Sequence, residues 1–316
     1  MKIVIPGGLG QVGRVLGRAF SANGDDVVVL ARRRQSVPWR VCEWDGKSRG
    51  DWFGEIDGAD VVINLAGRNV NCRYNAKNRR QIMDSRVDSA RIVGDAIAAA
   101  ENPPRLWLQA STATIYTHRF DAANDDVSGE IGGSEPDAPE AWRFSVAVAQ
   151  AWEAATNEAN TPRTRKVLMR SAITLSPDRG GIFDVMLGLV RKGLGGTAGN
   201  GKQYISWIHD LDFVRAVFWL IEHEELRGPI NLSSPNPLPN KEFMRIFREA
   251  WGGRFGIPAA EWQLRLGAFF MRSETELMLK SRRVVPKLLT DSGFRFEFPE
   301  WEGAAKDLCR RWRRGD

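Results

Sequence analysis

The segment IPGGLGQVG, close to the amino terminus, constrains the fold more than any other part of the sequence. It joins a short apolar run, Lys2–Ile5, to a helical pattern over residues 11–23, and its glycines have both GxxGxxG and GxGxxG spacing. Glycine permits the positive φ of a tight turn and leaves room for a diphosphate, which the unpaired amides at the start of the helix can bind. The spacing therefore favours a dinucleotide site over an ordinary strand-to-helix turn. Its predicted contacts are Gly7, Leu9, Gly10, Gln11, Val12 and Gly13.

Short apolar runs alternate with longer helical patterns through the first half of the chain, which is typical of βαβ units in a parallel sheet. The second half is richer in glycine and proline, yet a helical pattern over residues 212–223 and a short strand after it return to the sheet. We therefore predict a doubly wound α/β fold. Its Rossmann-type parallel sheet occupies residues 1–175, with residues 206–233 returning to it, and a smaller, mostly helical lobe occupies residues 176–316. The predicted strands are Lys2–Ile5, Asp26–Ala31, Val61–Leu65, Leu106–Gln109, Lys166–Arg170 and Pro229–Leu232, and later helices are predicted at Asn240–Trp251 and Glu261–Lys280.

The composition excludes several classes of protein. The 316 residues contain no apolar stretch near the roughly 20 residues of a membrane-spanning helix, and the first apolar segment is too short for a secretion signal. Three widely spaced cysteines suit neither a disulfide framework nor a metal site, and the histidines lack metal-ligand spacing. The net charge of +6 comes from scattered basic residues and short clusters such as RRWRR, which indicates surface charge rather than nucleic-acid binding. We expect a cytoplasmic protein with reduced thiols, no metal, and no nucleic-acid or membrane partner.

The residues after the second predicted strand indicate which dinucleotide is bound. NAD sites usually carry an acidic residue there to hold the ribose hydroxyls, whereas this chain has Ala31 followed by three arginines. A guanidinium can bind the extra phosphate of NADP through charge-assisted hydrogen bonds. We therefore predict NADP over NAD, with Arg32 and Arg33 on that phosphate; the alternative is that they only solvate a loop. Asp45, at the end of the next predicted strand RVCEWD, is a candidate partner of the adenine amino group and equally a surface charge.

Several motifs, in order, resemble the extended short-chain dehydrogenase/reductase superfamily, which includes sugar-nucleotide epimerases and dehydratases. They are PGGLGQVG, NLAG, ASTATIY, RSAITLSP and SWIHDLDFVRAV. The runs INLAGRNVNCRYNAKNRRQIMDSRV and VPKLLTDSGFRFEFP narrow the resemblance to an atypical epimerase group with a small extra C-terminal domain, over nearly the whole chain. The resemblance implies a nicotinamide cofactor, a small-molecule substrate, and further cofactor contacts from Leu65, Ala66, Gly67 and Ser111.

The superfamily's chemistry uses a Ser or Thr with a YxxxK pair, because a phenol of pKa near about 10 needs a neighbouring cation to exchange protons near neutrality. Thr112 matches the Ser/Thr, but the helix that should carry the pair has Ser145 and Ala149 at the Tyr and Lys positions, and a register shifted by one is no better. Two tyrosines are candidate substitutes. Tyr116 lies four residues beyond Thr112, and Tyr74 lies in the loop after NLAG. Each could donate a proton, although packing or substrate contact is the favoured role.

These observations predict an NADP(H)-dependent oxidoreductase or epimerase acting on a small polar, sugar-nucleotide-like substrate. Arg73, Tyr74, Thr112 and Tyr116 would line its pocket. His209, just before a predicted helix, is expected to cap or pack rather than to catalyse. The absence of the YxxxK pair motivates an alternative, a regulatory protein that binds NADP(H) and senses redox state without turnover. No sequence pattern predicts an oligomeric state.

Overall fold

Strands and helices alternate through residues 1–260 and 279–315, which the computed structural model describes. The strands are β1 (Lys2–Pro6), β2 (Asp26–Ala31), β3 (Arg40–Glu43), β4 (Val61–Asn64), β5 (Leu106–Thr112), β6 (Arg165–Ser171), β7 (Ile173–Leu175), β8 (Tyr204–Ile205), β9 (Trp207–His209), β10 (Gly228–Leu232) and β11 (Leu238–Pro239). The helices are α1 (Gln11–Ala22), α2 (Phe53–Ile56), α3 (Ala76–Ala99), α4 (Glu140–Glu158), α5 (Ile182–Arg191), α6 (Asp210–Glu222), α7 (Asn240–Trp251), α8 (Lys287–Asp291) and α9 (Trp301–Arg314), and a 3₁₀ turn spans Ala113–Ile115. The bounds predicted for β2 and α7 match those observed. The helix predicted at Glu261–Lys280 falls on residues 261–278, which lie outside the described residues.

Seven strands form one sheet in the order β10-β6-β5-β4-β1-β2-β3, and every neighbouring pair is parallel. From β1 the chain runs outward through β2 and β3, then returns and runs the other way through β4, β5, β6 and β10. The strand order therefore reverses between β1 and β4, and open parallel sheets bind ligands in the crevice outside the carboxyl ends of the strands at such a point. The predicted doubly wound Rossmann-type fold is confirmed, including the return of residues 228–232 to the sheet.

Helices cover both faces of the sheet, so its strands are apolar on both sides. α1 and α6 cover one face, where Phe20 packs beneath β1, and α2 and α3 cover the other, where Ile97 is buried. Alternate residues of β1 enter the two layers, with Ile3 and Ile5 in the first and Val4 in the second. The edge of the sheet that carries the strand ends is thus held rigidly from both sides.

A second apolar cluster lies where α5, α7 and α9 meet. Phe243 of α7 stacks on Trp301 of α9 with ring centroids 4.1 Å apart. The basic tail that the sequence analysis attributes to surface charge is therefore one side of a helix. Its apolar residues Trp301, Leu308 and Trp312 recur at helical spacing and face this cluster.

The described part of the chain contains no helix that is both long and apolar enough to cross a bilayer. In the same residues, no group of three or more His, Cys, Asp or Glu side chains is placed to hold a metal ion. All three cysteines are unpaired, and burial raises the pKa of the Cys309 thiol to about 12. The fold is therefore held by packing and hydrogen bonds rather than by disulfide bonds.

Candidate functional site

The glycine-rich loop begins at the crevice, where β1 ends. Gly7 has a φ of +76°, and a Cβ on it would lie 2.7 Å from the Cα of Ala66. A Cβ on Gly13 would lie 2.4 Å from the Cα of Gly8, so α1 can approach the loop only with glycine at this position. Gly10 is the N-cap of α1 and has no side chain with which to cap the first-turn amides. These amides are available to an anionic ligand, as the sequence predicts.

The other loop residues predicted to contact the cofactor have protein partners as well. The side chains of Leu9 and Val12 are partly buried against the core beneath the sheet. Gln11 Nε2 donates to Ser176 Oγ at 3.0 Å, which ties the start of α1 to the loop after β7. A cofactor contact from these three side chains stays a prediction.

The opposite wall of the crevice is the segment after β4. Asn64 Oδ1 accepts a hydrogen bond from the amide of Ala66 at 3.1 Å, and Asn64 Nδ2 donates to Gln109 Oε1 at 2.9 Å. Both side chains are fully buried, so the pair fixes the ends of β4 and β5 relative to each other. Leu65, Ala66 and Gly67 then run along the crevice facing the glycine-rich loop, as the resemblance implies. The Asn64–Gln109 pair was not predictable from the local sequence, because its members are 45 residues apart.

Arg32 and Arg33 follow β2 directly, and both are exposed. Because β2 lies next to β1, they stand beside the glycine-rich loop. Arg34 faces Glu43 at 3.7 Å, whereas in residues 1–260 and 279–315 no carboxylate lies within ion-pair distance of Arg32 or Arg33. Their position and free charge suit the predicted contact with a 2′-phosphate.

Arg14 borders the same place and was missed from the sequence. Its Nε donates to the carbonyl oxygen of Leu9 at 3.1 Å, and its Nη2 donates to Gln35 Oε1 at 2.7 Å. It therefore bridges the glycine-rich loop and the loop after β2. Its position four residues beyond Gly10, on the face of the first helical turn, is the signal that could have found it.

Asp45 lies two residues beyond β3, not at a strand end as predicted, because β3 ends at Glu43. Its Oδ1 accepts hydrogen bonds from the amides of Lys47 and Ser48 at 2.9 and 2.8 Å, and these bonds lower its pKa. The carboxylate thus stabilises a tight turn on the surface. A contact with the adenine amino group stays a prediction.

At the carboxyl end of β5, two hydroxyls have different environments. Thr112 Oγ1 accepts from the amide of Thr114 at 3.2 Å and starts the 3₁₀ turn. Ser111 Oγ donates at 2.5 Å to Glu153 of α4, whose carboxylate pairs with Arg170 of β6 through two bonds of 2.8 and 2.9 Å. Burial alone would lower the pKa of the Arg170 guanidinium, but the hydrogen bonds and charge of Glu153 raise it. Ser111 is therefore hydrogen-bonded to the carboxylate of a buried ion pair.

Tyr116 belongs to the same buried network. Only 2% of it is exposed, and its hydroxyl donates to Asn231 Oδ1 at 2.9 Å and accepts from Arg170 Nη1 at 3.0 Å. Burial raises the pKa of its phenol, in spite of the neighbouring guanidinium. The geometry therefore gives Tyr116 a role in packing and hydrogen bonding between β6, β10 and the 3₁₀ turn, which is the role favoured from the sequence, and a role as catalytic acid stays a prediction.

On α4, the positions of the YxxxK tyrosine and lysine are held by Ser145 and Ala149. Ala149, at the Lys position, is 0% exposed and packs in an apolar cluster with Ala113, Ile115 and Tyr116. Ser145, at the Tyr position, is partly exposed. Tyr74 packs edge-on against Phe144, with ring centroids 5.2 Å apart. The structure thus brings Tyr74 to the turn of α4 where the missing tyrosine would stand, and its catalytic role stays a prediction.

A segment near the carboxyl terminus, residues 279–285, closes over the end of β5. Lys280 Nζ donates to the carbonyl oxygen of Thr114 at 2.8 Å, and Arg282 Nε donates to Thr114 Oγ1 at 3.0 Å. The amide of Ser281 donates to His118 Nδ1 at 2.7 Å. Two buried cations from the end of the chain therefore border the predicted substrate region, and no local sequence signal placed them there.

His209 has the predicted structural role. Its Nδ1 accepts from the amide of Leu211 at 3.2 Å, which caps α6, and its ring stacks on Phe298 with centroids 4.0 Å apart. Burial lowers its pKa, although Asp210 and Asp307 oppose that shift. The prediction of capping and packing is confirmed.

Comparison with known proteins agrees with this geometry. A family model described as the NAD dependent epimerase/dehydratase family matches residues 3–232, which include the crevice and nearly the whole sheet. The chain belongs to this family. A second model, a domain of unknown function (DUF1731), matches residues 259–308. The family resemblance read from the motifs, with its extra C-terminal domain, is therefore confirmed.

Several family members match the chain over nearly its whole length. The human epimerase family protein SDR39U1 is 28% identical over 311 residues, covering 98% of this chain and 99% of that protein. An epimerase family protein of Mycobacterium leprae is 30% identical, covering 93% and 91% of the two chains. The crystal structure of human SDR39U1 isoform 2 with NADPH superposes with a TM-score of 0.86 at 27% identity, covering 98% and 99%. The family, its fold and its C-terminal extension are thus shared along the chain.

Proposed function

We propose that this chain binds NADP(H) in the crevice between β1 and β4 and catalyses an oxidoreductase or epimerase reaction. The observation that carries the proposal is the approach of Gly7 to Ala66. A side chain at Gly7 would collide with the backbone of Ala66, so only glycine lets the loop after β1 turn tightly against the β4 segment and present the first-turn amides of α1 to a dinucleotide diphosphate. The human relative, which was crystallised with NADPH, supports the choice of cofactor.

Selection of the phosphorylated cofactor rests on Arg32 and Arg33. They stand beside the glycine-rich loop at the end of β2, where a carboxylate would be expected in an NAD site. Arg14 adds a guanidinium that already contacts both adjoining loops. A phosphate dianion among these groups gains charge-assisted hydrogen bonds that NAD cannot form.

When bound, the nicotinamide supplies or accepts a hydride. Thr112, at the end of β5, and Tyr74, against α4, border the region where a substrate carbonyl or alcohol would lie. Tyr74, which packs against Phe144 of α4 at the turn where the superfamily's tyrosine would stand, is our candidate for the proton donor. The proposed substrate is a small polar molecule, with a sugar nucleotide as the first class to test.

The alternative is a regulatory protein that binds NADP(H) without turnover. The apolar packing of Ala149 favours it, because α4 has no ammonium at the position where the superfamily places one. Proton transfer by a positioned group contributes roughly 10²- to 10⁴-fold to rate, so a site without one would be slow.

Calorimetric titration with NADPH and NADH tests binding, followed by assays with a panel of nucleoside-diphosphate sugars. Both the NADPH absorbance and the sugar isomers must be followed, because an epimerase returns its hydride and leaves the absorbance unchanged. Product formation that is lost in Tyr74→Phe, with NADPH affinity retained, supports the enzyme and its proton donor. Tight binding with neither readout favours the regulatory protein. No affinity for either cofactor contradicts both.

A further inference from the structure

Arg86, in the middle of α3, holds its guanidinium against the crevice wall. Its Nη1 donates to the carbonyl oxygens of Arg68 and Ile82, both at 3.1 Å. Its Cζ lies 5.1 Å from the ring centroid of Trp152 on α4, so one face of the guanidinium is covered. Helix and loop contacts therefore fix the orientation of this side chain before any ligand arrives.

The guanidinium of Arg86 is buried without a carboxylate partner among the residues that the structure describes. Across residues 1–260 and 279–315 no Asp or Glu forms an ion pair with Arg86. Burial lowers its pKa to about 10, and the neighbours that oppose the shift, Tyr74 and Cys72, carry a phenol and a thiol. A desolvated cation without a counterion is costly, and such groups are concentrated at ligand sites.

Nη2 of Arg86 lies beside Gly67, in the segment after β4. In the described part of the chain, Nη2 and Nε donate no hydrogen bond, while Nη1 is occupied. A Cβ on Gly67 would lie 3.2 Å from Cζ and 3.4 Å from Nη2 of Arg86. Gly67 directly follows Ala66, the residue that Gly7 approaches. The absence of a side chain at Gly67 thus leaves the guanidinium beside the β4 wall of the crevice.

The strand order indicates which part of a dinucleotide this cation would meet. Arg32 and Arg33 lie at the end of β2, on one side of β1, whereas Arg86 lies by the segment after β4, on the other side. The first-turn amides of α1 stand between them. An extended dinucleotide with its 2′-phosphate near β2 places its diphosphate at α1, between the ends of β1 and β4, and its nicotinamide half beyond β4 toward β5.

We propose that Arg86 binds the diphosphate of the cofactor from the β4 side, opposite the amides of α1. The inference rests on the proposed function and adds a cationic wall that the glycine motif does not provide. A phosphate group of the substrate has the same chemistry, and the test separates the two sources.

Calorimetry with NADPH, NADH, 2′-AMP and, on NADPH-saturated protein, UDP tests the assignment in Arg86→Met and Arg86→Lys. Methionine keeps an unbranched apolar stem against Trp152, and lysine restores the charge. A charge-assisted hydrogen bond of roughly 1.5–3 kcal/mol corresponds to about a 10- to 100-fold loss of affinity. We expect that loss in Arg86→Met for NADPH and NADH alike, with partial rescue in Arg86→Lys. Affinity for 2′-AMP, which has no diphosphate, should not change. Arg91→Met, an exposed arginine on the same helix, is the matched control.

Unchanged NADPH affinity in Arg86→Met overturns the proposal, and a fall in UDP affinity alone would then assign the cation to the substrate. Equal losses for 2′-AMP and NADPH also overturn it, since they would indicate a general disturbance of the site. If the unmodified protein binds neither cofactor, the proposed function itself fails. That result is distinct from a failure of Arg86 in a protein that binds NADPH.

Discussion

The two ends of the crevice differ in which atoms shape them: backbone atoms at the glycine-rich loop and side chains at the end of β5. At the glycine-rich loop the backbone forms the crevice wall. A Cβ added to Gly13 would lie only 2.4 Å from a neighbouring backbone atom, so side chains are excluded there. At the end of β5, side chains determine the structure. Ser111, Tyr116, Glu153 and Arg170 form a buried network in which they hydrogen-bond to one another. An added side-chain atom should therefore destabilise the glycine-rich loop, and an unpaired charge should destabilise the network at the end of β5.

Restoring the missing lysine tests this difference most severely. Ala149→Lys would place an ammonium in an apolar cluster with no room for its stem. A buried lysine has its pKa lowered by up to about 3–5 units, and at neutral pH the cost is limited by neutralising a group of pKa about 10.4, so we expect a loss of about 4–5 kcal/mol in the free energy of unfolding. Ala147→Lys, two residues away on the exposed side of α4, should have little effect in the same urea titrations. Equal stabilities for the two variants would contradict the buried packing of Ala149.

Removing one charge of the buried pair is the next largest change. Glu153→Gln leaves Arg170 without its counterion, which costs about 3–5 kcal/mol in buried pairs, and also weakens the bond from Ser111. The matched control is Glu302→Gln, which breaks an exposed pair with Lys306 and should leave the unfolding curve unchanged. Similar curves for the two variants would mean that the network adds no stability.

The backbone end is tested by Gly7→Ala. A positive φ costs roughly 1–2 kcal/mol and overpacking roughly 1–3 kcal/mol, so we expect a loss of about 2–5 kcal/mol together with loss of NADPH binding. Gly24→Ala is the control, because Gly24 has a φ of +81° but nothing within 4 Å of its Cβ position. It should show only the smaller conformational cost and full affinity. A Gly7→Ala protein that binds NADPH normally would refute the close approach to Ala66.

Removing the arginines after β2 should have a smaller effect, limited to the affinity for NADPH. Arg32→Ala with Arg33→Ala should weaken NADPH binding by about tenfold or more while leaving NADH binding unchanged, since only NADPH carries the 2′-phosphate. Arg34→Ala is the neighbouring control, because its guanidinium faces Glu43. Equal losses for both cofactors would remove these arginines from the phosphate site.

The last test uses the segment 279–285. Burial, Lys280 and Arg282 lower the pKa of His118 below its ordinary value of 6.5, and Glu135 opposes them. Below pH 6.5 the unfolded chain therefore binds a proton that the folded chain resists, so the free energy of unfolding falls as the pH falls toward the folded pKa. His118→Asn, which keeps an acceptor for the amide of Ser281, should reduce that slope in denaturant titrations between pH 7 and 5. An unchanged slope would remove His118 as a contributor.

The sequence predicted the backbone end of the site well. The positions of Gly7, Gly10 and Gly13 and the strand β2 follow from constraints that act within a few residues, so one stretch of sequence carries them. Arg86, the Asn64–Gln109 pair and residues 279–285 were not predicted. Their roles depend on contacts between segments separated by up to 168 residues, and neither periodicity nor composition reports such pairings.

The contacts between residues 279–285 and Thr114 also set an order of assembly. A ribosome delivers the glycine-rich loop first, yet the far end of the crevice cannot close until residue 282 has emerged. Between the emergence of β10 and that of residue 282, the nascent chain can thus pair all seven strands of the sheet while the region around Thr114 stays open to solvent. Premature release of the polypeptide before this point would leave the paired strands without the contacts that cover Thr114.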